Sequence, residues 1–106
     1  MAARRRPGKR AVKREPRMSG PALKALRQLL VSAPTAVAGA DITRATKMAA
    51  GTLYPLLARL EAAGWIVGRW EDVDPHEIGR PRKRLYTLTE LGFRRARDEL
   101  DELRVG

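Results

Sequence analysis

The sequence contains no cysteine and a single histidine, His76. The first absence excludes a disulfide framework and any zinc site built on thiolates. One histidine cannot furnish the usual imidazole metal sites, nor the His-paired centres of hydrolytic and redox enzymes. Carboxylates are present, but Asp41, Asp72, Asp74 and Glu77 are not paired at a spacing suited to acid/base work. No glycine-rich phosphate loop follows a strand. Neither an enzyme activity, a metal nor a cofactor is therefore expected. No apolar run approaches the ~18–20 residues of a membrane span, and the first residues lack a hydrophobic signal core. A soluble intracellular protein with no membrane partner is the expectation.

What the sequence has in excess is positive charge. It holds 22 Lys or Arg against 12 Asp or Glu within 106 residues, a formal net charge of +10. The excess is concentrated at one end. Residues 1–17 carry +7, from Arg4, Arg5, Arg6, Lys9, Arg10, Lys13, Arg14 and Arg17 against Glu15, which leaves +3 for residues 18–106. With Pro7, Gly8, Pro16 and one large aliphatic residue, Val12, this arm cannot bury enough apolar surface to offset its ordering entropy. It reads as disordered in isolation and suited to a polyanion. Residues 18–106 form one globular domain's worth of chain.

Within that domain Ser19 and Pro21 make a helix entry, and Leu23, Leu26, Leu29, Leu30 and Ala33 follow at helical spacing until Pro34. A second helical stretch is expected from about Val37 to Thr46. Leu53, Leu56, Leu57 and Leu60 form a single apolar stripe, which Ala63-Gly64 closes. Pro55 is tolerated only in a first turn, so this third helix is expected to start near Gly51 or Thr52, with Thr52 able to cap it. Trp65 to Val73 and Arg84 to Leu88 read as two strands. Between them Asp74 to Lys83, with Pro75, Gly79 and Pro81, reads as a long basic loop. A last helix is expected from Thr89, as its cap, to about Arg104.

Three helices, a two-stranded ribbon and a C-terminal helix make an α+β, mainly α, winged helix-turn-helix layout. In that docking mode the third helix enters the major groove. Opposite its leucine stripe lie Gly51, Pro55, Ala58 and Ala62, with Thr52 and Arg59 on one shoulder and Tyr54 and Glu61 on the other. So many small residues suit close approach to DNA, whereas an ordinary solvent face carries several Glu and Lys. In the ribbon loop Arg80, Arg82, Lys83 and Arg84 place four cations within five residues after Gly79, fit for phosphates or a narrow minor groove.

The run Gly51-Thr52-Leu53-Tyr54-Pro55-Leu56-Leu57-Ala58-Arg59-Leu60-Glu61, with Gly64-Trp65-Ile66, resembles the recognition-helix signature of PadR-type winged-helix transcriptional regulators. Gly79-Arg80-Pro81-Arg82-Lys83, then Tyr86-Thr87-Leu88-Thr89 and Gly92, resembles the same family's wing and the entry to its last helix. Together they cover about residues 20–93. The resemblance implies a dimeric, sequence-specific repressor in a bacterial cytoplasm, associated with the nucleoid. It places Thr52, Tyr54, Pro55 and Arg59 at the major groove and Arg80, Arg82 and Lys83 at the wing. Three features depart from the pattern: Met48-Ala49-Ala50 stands where a polar cap is expected, a long C-terminal domain is not expected, and the basic arm is an addition.

Phe93, Ala96, Leu100 and Leu103 form a short a/d seam on the last helix. The expectation is that this seam, with Leu26 of the first helix, makes a homodimer. By resemblance, aromatic side chains in a dimer cleft receive flat, small apolar effectors, and Trp70 is the candidate aromatic. The competing reading is an architectural or RNA-binding protein whose arm and wing hold phosphates without reading bases. The small-residue face of the third helix discriminates against it.

Overall fold

The computed structural model describes the backbone of residues 18–105 and the side chains of residues 18–101. The arm, with Arg4, Arg5, Arg6, Lys9 and Arg10, lies outside the described residues, as does the side chain of Leu103. Helix α1 spans Gly20–Ser32. Ser19 Oγ accepts the Ala22 N–H at 3.2 Å and Pro21 sits in the first turn, where no intrahelical donor is missed. Ala22, Ala25, Leu26 and Leu29 form its buried stripe.

Val37–Ala38 is a short strand, β1, and not the start of a helix. It pairs antiparallel with the later strand β3, Arg84–Leu88, in the register Val37↔Tyr86 and Ala38↔Leu85. The ribbon is therefore the larger part of a three-stranded sheet. Two residues are too few for alternation to be read, and only the free edge of β3 gives them strand partners. Helix α2 follows as Gly39–Thr46 and stops at Lys47, whose φ of 64° is left-handed.

Helix α3 is Ala50–Ala62. It starts a residue or two earlier than expected, so Pro55 falls in its second turn and Thr52 is not its cap. The cap position is Ala49, which has no capping side chain. A proline there deprives the Gly51 carbonyl of its helical donor. Both residues are exposed, so water can take the donor's place. The other end closes as the leucine stripe and Gly64 foretell: Gly64, at φ 82°, gives its N–H to the Glu61 carbonyl, and Trp65 gives its own to Leu60, both at 3.0 Å.

Strand β2 is shorter than expected, Ile66–Trp70, and pairs with β3 from Ile66↔Leu88 to Trp70↔Arg84. The loop beyond it contains one helical turn, α4, Pro75–Ile78. The Asp74 side chain accepts the His76 N–H at 2.9 Å and Gly79, at φ 70°, closes the turn. Helix α5, Glu90–Val105, packs back on α1. Thr89 caps it, accepting the Gly92 N–H at 3.0 Å.

The core lies where α1, α2, α3 and the sheet converge, around the fully buried Leu26, Leu29, Ile42, Leu53, Leu57, Leu60, Trp65 and Ile66. Each such aliphatic side chain contributes about 1.5–3 kcal/mol relative to exposure. Leu26 and Ala96 are 0% exposed within this core. That corrects their assignment to a dimer contact, because neither has surface left to offer a second chain. With three helices, a β-ribbon and a closing helix, the architecture is a winged helix.

Candidate nucleic-acid interface

Burying Leu53, Leu56, Leu57 and Leu60 turns the remaining faces of α3 outward. Gly51, Thr52, Pro55, Ala58, Arg59 and Ala62 are all exposed. The outer face is therefore low and smooth, with one cation at its edge. Arg59 has no acidic partner among the described residues.

Tyr54 belongs to a different environment. Its ring packs over Gly39 at the start of α2, where a Cβ would meet Tyr54 Cε1 at 2.8 Å. It remains 40% exposed, but its ring braces α3 against α2. Glu61, two turns further along the same shoulder, reaches the sheet: its Oε2 accepts the Gly68 N–H at 3.2 Å.

The wing's cations are largely engaged within the wing. Arg80 Nη1 and Nη2 grip the Glu71 carboxylate as a fork, at 2.8 and 3.0 Å, and Nη1 also donates to the Pro81 carbonyl at 3.0 Å. The Lys83 N–H donates to Glu71 Oε1 at 3.1 Å, and the Glu71 N–H to the Lys83 carbonyl at 2.8 Å. The Arg80 guanidinium, aided by the Lys83 N–H, holds the Glu71 carboxyl down at about 2. Arg82 Nε donates to the Val73 carbonyl at 2.8 Å, leaving its outer fork directed away from that bond. Lys83 has no acidic side-chain partner among the described residues. Arg84 is not in the loop but opens β3, with its guanidinium over the Trp70 ring.

The structure thus brings Thr52, Pro55 and Arg59 onto one face and Arg82 and Lys83 onto a folded wing. It assigns Tyr54, Arg80 and Arg84 to internal contacts. Composition missed the two acids, Glu61 and Glu71, that organise the basic elements. The signal was available for Glu71, an acid at the end of one strand facing the basic start of the next. Lys47 was also missed. It is exposed between α2 and α3 in a left-handed conformation normally filled by glycine or asparagine.

Residues of α1, β3 and α5 frame two open grooves of about 550 and 590 Å³ that share Ala33 and Phe93. Phe93 is 39% exposed and Val31 69%. Leu30, Arg97 and Leu100 line the first groove, and Arg97 lies 5.8 Å from the Phe93 ring centroid. Trp70 lines neither. Among the described residues no helix is long and apolar enough to cross a membrane, and no three His, Asp or Glu residues form a metal cluster.

The model of the transcriptional regulator PadR-like family matches residues 39–98. No curated protein matches significantly. Among solved structures, the chain is similar to smu.1704 from Streptococcus mutans UA159, with 28% identity, TM-score 0.64 and 79% of each chain covered. It is also similar to a PadR family transcriptional regulator from Eggerthella lenta DSM 2243, at 27% identity and TM-score 0.62 over 79% of this chain and 71% of that one. A MepR mutant of S. aureus bound to an oligodeoxyribonucleotide shares the fold, with TM-score 0.63 and 19% identity over 82% of this chain and 61% of that one.

Proposed function

This chain belongs to the PadR-like family of transcriptional regulators, and on that premise we propose that it binds duplex DNA sequence-specifically as a homodimer and represses transcription. The observation that carries the reading is the outer face of α3. Thr52, Pro55 and Ala58 let the helix backbone approach base edges, and Arg59 has the two-pronged donor geometry that reads guanine. A purely electrostatic binder has no use for so bare a helix.

Around this reader the remaining charges hold the duplex in place. Arg82 and Lys83 meet phosphates from the wing, Lys47 from the turn before α3, and Arg4, Arg5, Arg6, Lys9 and Arg10 from the arm. Tyr54 and Arg80 support these contacts from behind. The uncapped start of α3 leaves its first N–H groups without a side-chain acceptor, a place a phosphate oxygen can fill.

A second copy of the chain covers the Phe93 face. Phe93, Leu100, Leu30 and Ala33 line an open groove, and a two-fold pair would bury it against itself. Any small apolar effector belongs in the grooves that meet at Phe93. Repression follows if the paired readers cover a promoter in a bacterial cytoplasm.

Selection of bound duplexes from a random pool tests the reading. A pseudo-palindrome with half-sites about one helical turn apart is expected. A pool that shows no enrichment overturns base-specific recognition and favours a phosphate-only binder.

A further inference from the structure

Glu61 is an acid between two elements proposed to touch DNA. Plain electrostatics makes that position unfavourable, because its charge repels phosphates. Its contacts account for its presence. The carboxylate accepts the Gly68 N–H at 3.2 Å and stands 3.6 Å from Arg84 Nη2. Arg84 lies over Trp70, 5.2 Å from the ring centroid. Trp70 and Arg84 are cross-strand partners at the far end of the β2–β3 ladder, as Gly68 and Tyr86 are two pairs closer to the core. Gly68 makes the arrangement possible. A Cβ there would meet Tyr86 Cε1 at 2.9 Å and Arg84 Nε at 3.0 Å.

These contacts close a triangle. The Gly64 turn joins the end of α3 to β2, and β1 pairs with β3 as far as Leu85, but the β2–β3 ladder runs on past both anchors to Trp70 and Arg84. A tie from Glu61 to Gly68 on one strand and Arg84 on the next fixes this extension on both strands. We infer that Glu61 sets the wing relative to the recognition helix through Arg84, and that Arg84 is a positioning residue and not a contact to DNA. The inference rests on the proposed DNA-binding reading. It makes Glu61 a determinant of selectivity, since helix and wing must meet their groove and phosphates in one register.

The sign of one substitution separates this role from simple electrostatics. Glu61→Gln keeps an acceptor for the Gly68 N–H but removes the charge that holds Arg84. Loss of an acid should tighten DNA binding if charge alone matters. The positioning role predicts about fivefold weaker binding to the duplex selected from a random pool, with binding to random duplex unchanged. Arg84→Met should match it, and the double variant should be no weaker than Arg84→Met alone, because the two residues act as one unit. Arg84→Lys keeps the charge but cannot fork between Glu61 and the Trp70 face, so it should also lose selectivity. Far-UV circular dichroism and thermal unfolding establish that each variant is folded.

Tighter binding by Glu61→Gln overturns the inference. So do additive losses in the double variant, an Arg84→Lys protein indistinguishable from the parent, or a salt slope flattened by about 0.9 in Arg84→Met, the mark of one phosphate contact. Failure of the parent protein to bind any duplex overturns the DNA-binding reading itself, and this role with it.

Discussion

The α-carbon of Gly92 stands against the carbonyl of Trp65, so closely that a Cβ at position 92 would overlap its oxygen. The same carbonyl accepts the Thr89 N–H at 2.9 Å and the Thr89 hydroxyl at 3.1 Å. The Thr89 hydroxyl also lies 2.6 Å from the Gly64 carbonyl. The end of α3 and the start of α5 are thereby docked on one another, 25 residues apart in sequence. This joint places the Phe93 face relative to α3.

Gly92→Ala should therefore destabilise the fold. The obstructing atoms are backbone, which cannot rotate aside, so α5 must shift, at a cost of about 1–3 kcal/mol. A lowered urea midpoint with unchanged slope is expected. An unchanged midpoint would show that α5 moves away freely.

Glu71 gives the wing an acid-resistant clasp. Its carboxyl falls from an ordinary value of 4.5 to about 2, first through the Arg80 fork and then through the Lys83 N–H. A carboxyl depressed on folding contributes fully above its unfolded value and loses that contribution as pH falls through the folded one. The clasp should hold at pH 4 and open as pH approaches 2. Carboxyl titration of Glu71 by NMR should give a midpoint near 2. A midpoint near 4.5 would mean that the fork is open in solution.

Arg59→Ala should leave the fold intact, since the side chain projects from the exposed face of α3. If it is bidentate to guanine, discrimination at one base position falls by about 1–3 kcal/mol. Equal weakening on selected and random duplexes would assign Arg59 to phosphate instead.

Replacing Phe93 and Leu100 together by Asp should give monomers in light scattering. Both lie on the groove between α1 and α5, and neither belongs to the fully buried core. Thermal stability at high dilution should change little. A dimer that survives the double replacement would place the interface elsewhere.

Removing residues 1–17 takes away +7 of the +10 net charge. If half of its eight cations neutralise phosphates, the slope of log K against log salt should flatten by roughly 3 to 4 units. Selected and random duplexes should lose similar affinity, because phosphate contacts carry little sequence information. An unchanged slope would assign the arm to another partner.

The helices and their buried stripe were legible from periodicity. Leu53, Leu56, Leu57 and Leu60 recur as a helix demands, and Ser19, Gly64 and Thr89 mark boundaries by local chemistry that needs no distant partner. The bare outer face of α3 was legible for the same reason: once the stripe is buried, the other side must face out. Tertiary structure decided what local pattern cannot contain. Val37 and Ala38 became a strand because β3 had an edge for them, and Pro55 fell inside the helix because Gly51 and Pro55 face water. Leu26 and Ala96 were withdrawn from any interface because their own core encloses them. The sequence shows how many cations the wing has but not which are engaged. Arg80 is occupied by an acid nine residues away and Arg84 by one 23 residues away. Charge counts add along a chain, whereas ion pairs depend on distances that only the folded sheet brings to a few ångströms.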